Sequence, residues 1–255
     1  MRTEEAIDTL WQAMQKGDHS PSALRKTLTL AEAYRVQLGV LNRWIAAGET
    51  HAGWKIGGTS EAARKVLGLQ APLSGYLLAS RRFSTGHTFV HEQIGKPVIE
   101  SELCVTIGRR LTGPGTTREQ VLDAVSAVAP AFEVVQMRGD LAGDLPLSVA
   151  DDVAQWGYVT GTPLSPYPRN LDLGAITVEM RKNGEVVQQV RGREAIEDQL
   201  QSIAWLANQL AEYDMALEPG QCIMTGSFTR PLPIAKGDRW ETQFSSVGTV
   251  SATFV

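Results

Sequence analysis

The chain has 255 residues, with 24 basic and 28 acidic side chains, a net charge of −4, and 43% hydrophobic against 20% charged positions. Such a composition belongs to a globular protein large enough to bury a core. It carries no basic surplus of the kind that neutralises phosphates, which excludes nucleic-acid binding as a leading function. Cys104 and Cys222 are its only cysteines. Two cysteines make neither a disulfide framework nor a thiolate metal site, so a reducing cytoplasm is the expected location. The longest charge-free stretches, Val153–Pro168 and Val66–Ser80, are too short and too interrupted to span a bilayer, and no membrane association is expected. The opening Met1-Arg-Thr-Glu-Glu5 reaches two acids before any apolar run, unlike a secretory signal.

Glu4 to Lys16 places Ala6, Ile7, Leu10, Trp11 and Met14 three and four apart, which predicts an amphipathic helix. Thr29-Leu-Ala-Glu32 is a capping-box pattern, and the helix it opens runs through Tyr34, Leu38, Leu41 and Ile45 to Gly48. Residues 1–70 therefore read as a helical N-terminal lobe, and residues 71–255 as a β-rich domain forming one compact unit with it. Val98 to Ile107 reads as a strand. Thr116-Thr-Arg-Glu119 caps a helix expected to run through Val121, Val125 and Val128. Ala175–Lys182 and Glu185–Val190 flank Asn183-Gly184, whose residues accept the positive φ angles of a type I′ turn, so a hairpin is expected. A long helix is predicted from Arg193 to Tyr213, then three strands near Gln221, Trp240 and Val250. Strands that return after each helix indicate an α+β fold, a mixed sheet or barrel with helices outside it. Gly57-Gly-Thr-Ser60 has neither the dinucleotide nor the Walker spacing.

Three acids fall in apolar surroundings. Glu100 and Glu102, two apart on a strand, share a face, and Glu133 is embedded in Ala129-Pro-Ala-Phe-Glu-Val-Val135. Carboxylates in such places need a cation or a metal, and an all-oxygen set suits Mg²⁺ or Mn²⁺ rather than Zn²⁺. Glutamates on a half-exposed strand, paired with arginines, account for the same spacing. Lys55, between Trp54 and Ile56 and bracketed by glycines, is placed either to stabilise an oxyanion or to snorkel past the indole into water. Thr225-Gly-Ser227-Phe-Thr229 offers hydroxyls and amides to a carboxylate, or forms a plain turn. His87 and His91 are four apart, a metal-pair spacing only if a helix carries them. No Gly-x-Ser-x-Gly elbow supports a serine hydrolase.

In chain order, Trp54-Lys-Ile-Gly57 with Thr59-Ser60, Glu100-Ser-Glu102, Pro130-Ala-Phe-Glu-Val-Val135, Thr225-Gly-Ser227 and Phe244-Ser-Ser-Val-Gly-Thr-Val-Ser251 resemble the 2-keto-4-pentenoate hydratase and 4-oxalocrotonate decarboxylase family. That family lies within the fumarylacetoacetate hydrolase superfamily, and the resemblance covers roughly residues 30–255. It implies an α+β fold with a helical N-terminal lobe on a mixed β-sandwich or roll, in a homo-oligomer. It also implies Mg²⁺ or Mn²⁺ held by Glu100, Glu102 and Glu133, with Lys55 adding positive charge at the enolate oxygen or substrate carboxylate. Ser227, with Thr225, would bind the carboxylate end of a small 2-oxo or 2-hydroxydienoic acid.

The implied reaction is addition of water to a 2-hydroxy-2,4-dienoate, as in aromatic catabolism. The alternatives are decarboxylation of the 4-oxalocrotonate type, C–C hydrolysis of an acylpyruvate, or a non-catalytic role as an assembly partner. Two departures stand out. Hydratases of this family usually carry acids just after a Gly-x-Leu motif, yet this chain reads Gly75-Tyr-Leu-Leu-Ala-Ser-Arg-Arg82 and has no Asp or Glu from Ala62 to His91. Asp151-Asp152-Val153-Ala154 also replaces the more usual Asp-Asn-Ala-Ser. Asp151, Asp152, His87 and His91 are the candidates for a substitute base.

Overall fold

The computed structural model describes residues 2–19, 21–139 and 143–255. Helix α1 (Thr3–Gln15) and helix α2 (Leu30–Ala46) form the N-terminal pair, and the Thr29/Glu32 capping box that opens α2 is complete. Then come β1 (His51–Gly57), α3 (Glu61–Leu67), β2 (Leu73–Leu78), β3 (Arg82–Ser84), β4 (His87–Phe89) and β5 (Pro97–Ile107). Next are α4 (Arg118–Ala124), β6 (Val125–Gln136), α5 (Leu145–Ala150) and β7 (Gln155–Thr160). The predicted hairpin is β8 (Thr177–Lys182) and β9 (Glu185–Arg191), with Asn183 at φ 52° and Gly184 at φ 89° as a type I′ turn requires. The chain closes with α6 (Gly192–Ala195), α7 (Gln199–Ala211), β10 (Cys222–Ser227), β11 (Leu232–Pro233), β12 (Arg239–Phe244) and β13 (Gly248–Phe254).

The structure alters three expectations. The helix begun at Thr117 stops at Ala124, and Val125 and Val128 open strand β6 instead, where their branched side chains pair across to β5. The helix predicted over residues 193–213 is two. Asp198 turns the chain and accepts the Gln201 N–H as the cap of α7. Residues 1–70 are not all helix, because β1 lies inside the larger sheet between β2 and β10.

Two sheets stack. The larger has the order β2-β1-β10-β5-β6-β7-β3, with β11 added on β5, and the smaller has the order β4-β13-β12-β8-β9. β5 shows how they share side chains. Ser101 points toward the smaller sheet, where its hydroxyl lies 2.8 Å from the Thr242 hydroxyl in a fully buried contact. Phe228 and Phe244 meet edge to face nearby, with centroids 5.6 Å apart. Glu100, Glu102 and Cys104 point the other way, into the concave side of a sheet that curls until β2 lies against β7. Leu77, Cys104, Tyr158, Cys222 and Met224 fill that interior. Gln37 on α2 ties the helical pair to it, its buried amide donating to Ser74 O at 3.0 Å and Val149 O at 2.6 Å.

β1 runs parallel to β10, and its closest approach is at Gly53, whose φ is +145° and whose added Cβ would lie 1.9 Å from the Cys222 carbonyl oxygen. Only glycine tolerates both the angle and the contact. Gly53→Ala is expected to destabilise the protein by at least about 3 kcal/mol, read as a lower midpoint in urea unfolding; an unchanged midpoint would refute this account of the β1–β10 junction.

Candidate metal centre and adjoining cavity

Neighbouring strands carry the three acids into one place. Glu100 stands directly across from Glu133 in the antiparallel β5–β6 ladder, and Glu102 lies two residues along β5 on the same face. One oxygen from each lies within 4.8 Å of the others, and no other group of three possible ligands converges so closely among the described residues. Glu102 and Glu133 are each 1% exposed and Glu100 is half-buried. Like charges facing each other across a ladder repel, and burial strengthens that repulsion.

Lys55 answers part of it. Its position on β1, between β2 and β10, sends the ammonium to 3.1 Å from Glu133 Oε1, with the side chain almost wholly buried. Burial works against the charged ammonium, and the Glu133, Glu100 and Glu102 carboxylates overturn that, holding its pKa above that of an ordinary lysine. Burial and the Glu133 charge push Glu100 up to about 7, against the pull of Lys55 and the Ser227 hydroxyl. Burial, Glu133 and Glu100 raise Glu102 well above the usual carboxylate range. With all three ionised, one cation leaves the cluster negative, and its donors are all oxygen. That is the site a hard divalent ion fits.

The Thr225-Gly-Ser segment braces the cluster. The β5–β10 register shifts between Met224 and Ser227, and this bulge turns the Gly226 N–H onto Glu102 Oε2 at 3.0 Å. Gly226 has φ +101°, and a Cβ there would stand 2.3 Å from Thr59 Oγ1. Thr225 is fully buried and donates its hydroxyl to Leu103 O at 3.1 Å, so it fastens β10 to β5. Ser227 remains half-buried beside Glu100 and donates to Thr229 O at 2.5 Å.

The histidines lie elsewhere. His91 Nε2 is 3.1 Å from Ile234 O, and the His87 ring packs on Phe83 and Phe89. A 3₁₀ turn between α5 and β7 brings Asp152 against Gly75 and Tyr76 of β2, and Asp152 accepts the Tyr76 N–H at 2.7 Å. Beyond it opens a cavity of about 310 Å³ lined by Tyr76, Arg81, Gln136, Arg138, Asp152 and Trp156. Arg138 donates to Asp151 Oδ2 at 2.8 Å, while the Arg81 guanidinium sits 4.7 Å from the centre of the Trp156 ring. Sequence reasoning gave Arg138 and Trp156 no role; each is a single residue in unremarkable company, and only the curl of the sheet brings them to one cavity.

A family model described as fumarylacetoacetate (FAA) hydrolase C-terminal matches residues 70–255. The chain is 35% identical over 236 residues to 2-oxo-hept-4-ene-1,7-dioate hydratase of Escherichia coli, covering 89% of this chain and 88% of that protein. It is 33% identical to 2-hydroxyhexa-2,4-dienoate hydratase of Comamonas testosteroni, covering 100% of this chain and 99% of the relative. Among solved structures, 4-oxalocrotonate decarboxylase from Pseudomonas putida G7, complexed with magnesium and adipate, superposes with a TM-score of 0.92 at 30% identity over 100% of this chain and 99% of that one. The chain belongs to the fumarylacetoacetate hydrolase family, among the 2-keto-4-pentenoate hydratases and 4-oxalocrotonate decarboxylases.

Proposed function

We propose that this protein is a metal-dependent hydro-lyase that adds water to a small 2-hydroxy-2,4-dienoic acid. The observation that carries the reading is the convergence of Glu100, Glu102 and Glu133 with buried Lys55 on the concave face of one sheet. Magnesium or manganese suits the oxygen donors, and the ion, when bound, would supply a Lewis acid that favours the enolate form of a 2-oxo acid. Lys55 adds a fixed positive charge where negative charge develops, in a site too dry for water to screen it. Ser227 would donate its hydroxyl to the substrate carboxylate on turning it from the Thr229 carbonyl, and Thr225 contributes by holding that segment on β5. The relatives named as hydratases span nearly the whole chain and support the reaction class. Family resemblance supports a homo-oligomer.

Decarboxylation is the second reading, favoured by the close superposition on 4-oxalocrotonate decarboxylase. It draws on the same electron sink, which would accept the pair released with CO₂. The two readings part on product. The expected result is metal-dependent consumption of a 2-hydroxydienoate with no CO₂; CO₂ release from a 4-oxalocrotonate-type substrate, without hydration, would replace the first reading by the second.

Two substitutions at the acid cluster are expected to act in opposite directions on the metal-free protein. Glu102→Gln keeps an acceptor for the Gly226 N–H and removes a buried acid whose ionisation is opposed by burial and by its neighbours, so at alkaline pH, where the wild-type group is driven to ionise, the variant should melt higher by roughly 2–4 °C for each kcal/mol recovered. Glu133→Gln removes the partner of Lys55 and should lower the melting temperature. In wild type, Mg²⁺ with oxalate, a 2-oxo acid mimic, should stabilise jointly, by about 2.7 kcal/mol at a hundredfold excess over Kd. Both variants should lose that response. A wild-type melting curve that ignores Mg²⁺ and oxalate would count against the metal site.

A further inference from the structure

The acid that the family resemblance leads one to expect after Gly-x-Leu has a counterpart in space. Asp152 is 4% exposed, and its Oδ1 is pinned by the Tyr76 N–H at 2.7 Å. A Cβ on Gly75 would come within 2.7 Å of that oxygen and 3.3 Å of Lys55 Cε, so glycine at 75 leaves room for the carboxyl beside the lysine. The Tyr76 N–H meets only this one oxygen, and the side chain lines the 310 Å³ cavity. Asp152, Val153 and Ala154 all have positive φ, at 57°, 50° and 59°. Three successive non-glycine residues in the left-handed region cost about 1–3 kcal/mol each, a strain that persists only where the surroundings impose it.

The other candidates do not reach this place. Asp151 is held by Arg138, His91 by the Ile234 carbonyl, and His87 by its aromatic neighbours. We propose that Asp152, approaching from the β7 side, is the proton-transfer group of this site and does the work of the acid missing from β2. This deepens the lyase reading and rests on it. The titratable groups around Asp152 are Lys55 from β1, Tyr76 from β2, Arg138 from the segment after β6, and its own neighbour Asp151. Burial raises the Asp152 pKa well above the usual range, against the Tyr76 N–H, Lys55 and Arg138, which favours the protonated form before reaction.

For 2-hydroxypenta-2,4-dienoate the protons balance as follows. The 2-hydroxyl releases its proton to solvent and becomes the carbonyl, the diene pair shifts outward, and the Asp152 carboxyl delivers its proton to C5, leaving a 2-oxo-3-enoate and an Asp152 carboxylate. That carboxylate takes a proton from the water whose oxygen bonds to C4. The C3–C4 π pair moves to C3 as the enolate, and a solvent proton closes C3. Asp152 ends protonated, and the net change is addition of one water.

The test uses Asp152→Asn in the full-length protein, with ketonisation and hydration of 2-hydroxypenta-2,4-dienoate followed in D₂O by NMR. The expected result is a kcat lower by about 10²- to 10⁴-fold with loss of enzyme-catalysed deuterium entry at C5, while the joint Mg²⁺ and oxalate stabilisation stays at the wild-type level. Turnover and C5 labelling equal to wild type would overturn the proposal and leave the lyase reading standing. Should the asparagine variant lose the oxalate response, Asp152→Ala is assayed with added formate, where recovery of turnover supports the role and no recovery overturns it. A wild type that binds Mg²⁺ and oxalate yet neither ketonises nor hydrates the dienoate sinks the lyase reading, and this proposal with it.

Discussion

Everything in this structure is arranged around an electrostatic conflict: three carboxylates confined on one concave face with a single buried ammonium to answer them. In water the conflict would dissolve, because glutamates at this spacing would turn outward and be screened. Here the β5–β6 ladder fixes Glu100 opposite Glu133, the bulge in β10 fixes Glu102, and the curl of the sheet keeps water away. A site that is costly without its ion is also selective for one, since the relief it offers grows with the charge of what binds.

The second sheet serves this arrangement indirectly. By taking Ser101 against Thr242 of β12, with Phe228 and Phe244 meeting beside it, it commits the alternation of β5, so the glutamates have nowhere to go but inward. A shift of one residue in the β5–β6 register would place Ser101 where the glutamates converge and drive two carboxylates into the hydrophobic layer. Register and the acid cluster are thus the same constraint seen from two sides of one strand.

Features set by neighbours in sequence were legible before the structure: the capping box at Thr29, the Asn183-Gly184 turn, and the shared face of Glu100 and Glu102 all depend on contacts within a few residues. Legibility failed where a local signal competed with a distant one. Val125 and Val128 fit a helical stripe, but their β-branched side chains are claimed by β5, and the apolar pattern from 193 to 213 conceals the capping aspartate that divides it. Lys55 shows the limit most clearly. Nothing in Gly-Trp-Lys-Ile-Gly distinguishes a snorkelling lysine from one that meets Glu133, because the partner sits 78 positions away and the meeting is made by β10 and β5 between them. Asp152 is one of four acids and histidines that the sequence leaves equal for the same reason, since its contact with Gly75 exists only in the fold.

The parallel pairing of β1 with β10 has a bearing on how the protein is made. Gly53 to Lys55 find their partners at Cys222 to Met224, across most of the chain, so the strand that bears the lysine waits for the last third of the sequence before it is locked on both edges. Contacts of such long separation are slow to form, and domains emerge from synthesis N-terminal end first. During that interval β1 has its hairpin-like neighbour β2 and an open edge on the other side, an edge of the kind that invites pairing with another chain. The meeting of Lys55 with the glutamates and the completed sheet therefore arrive together.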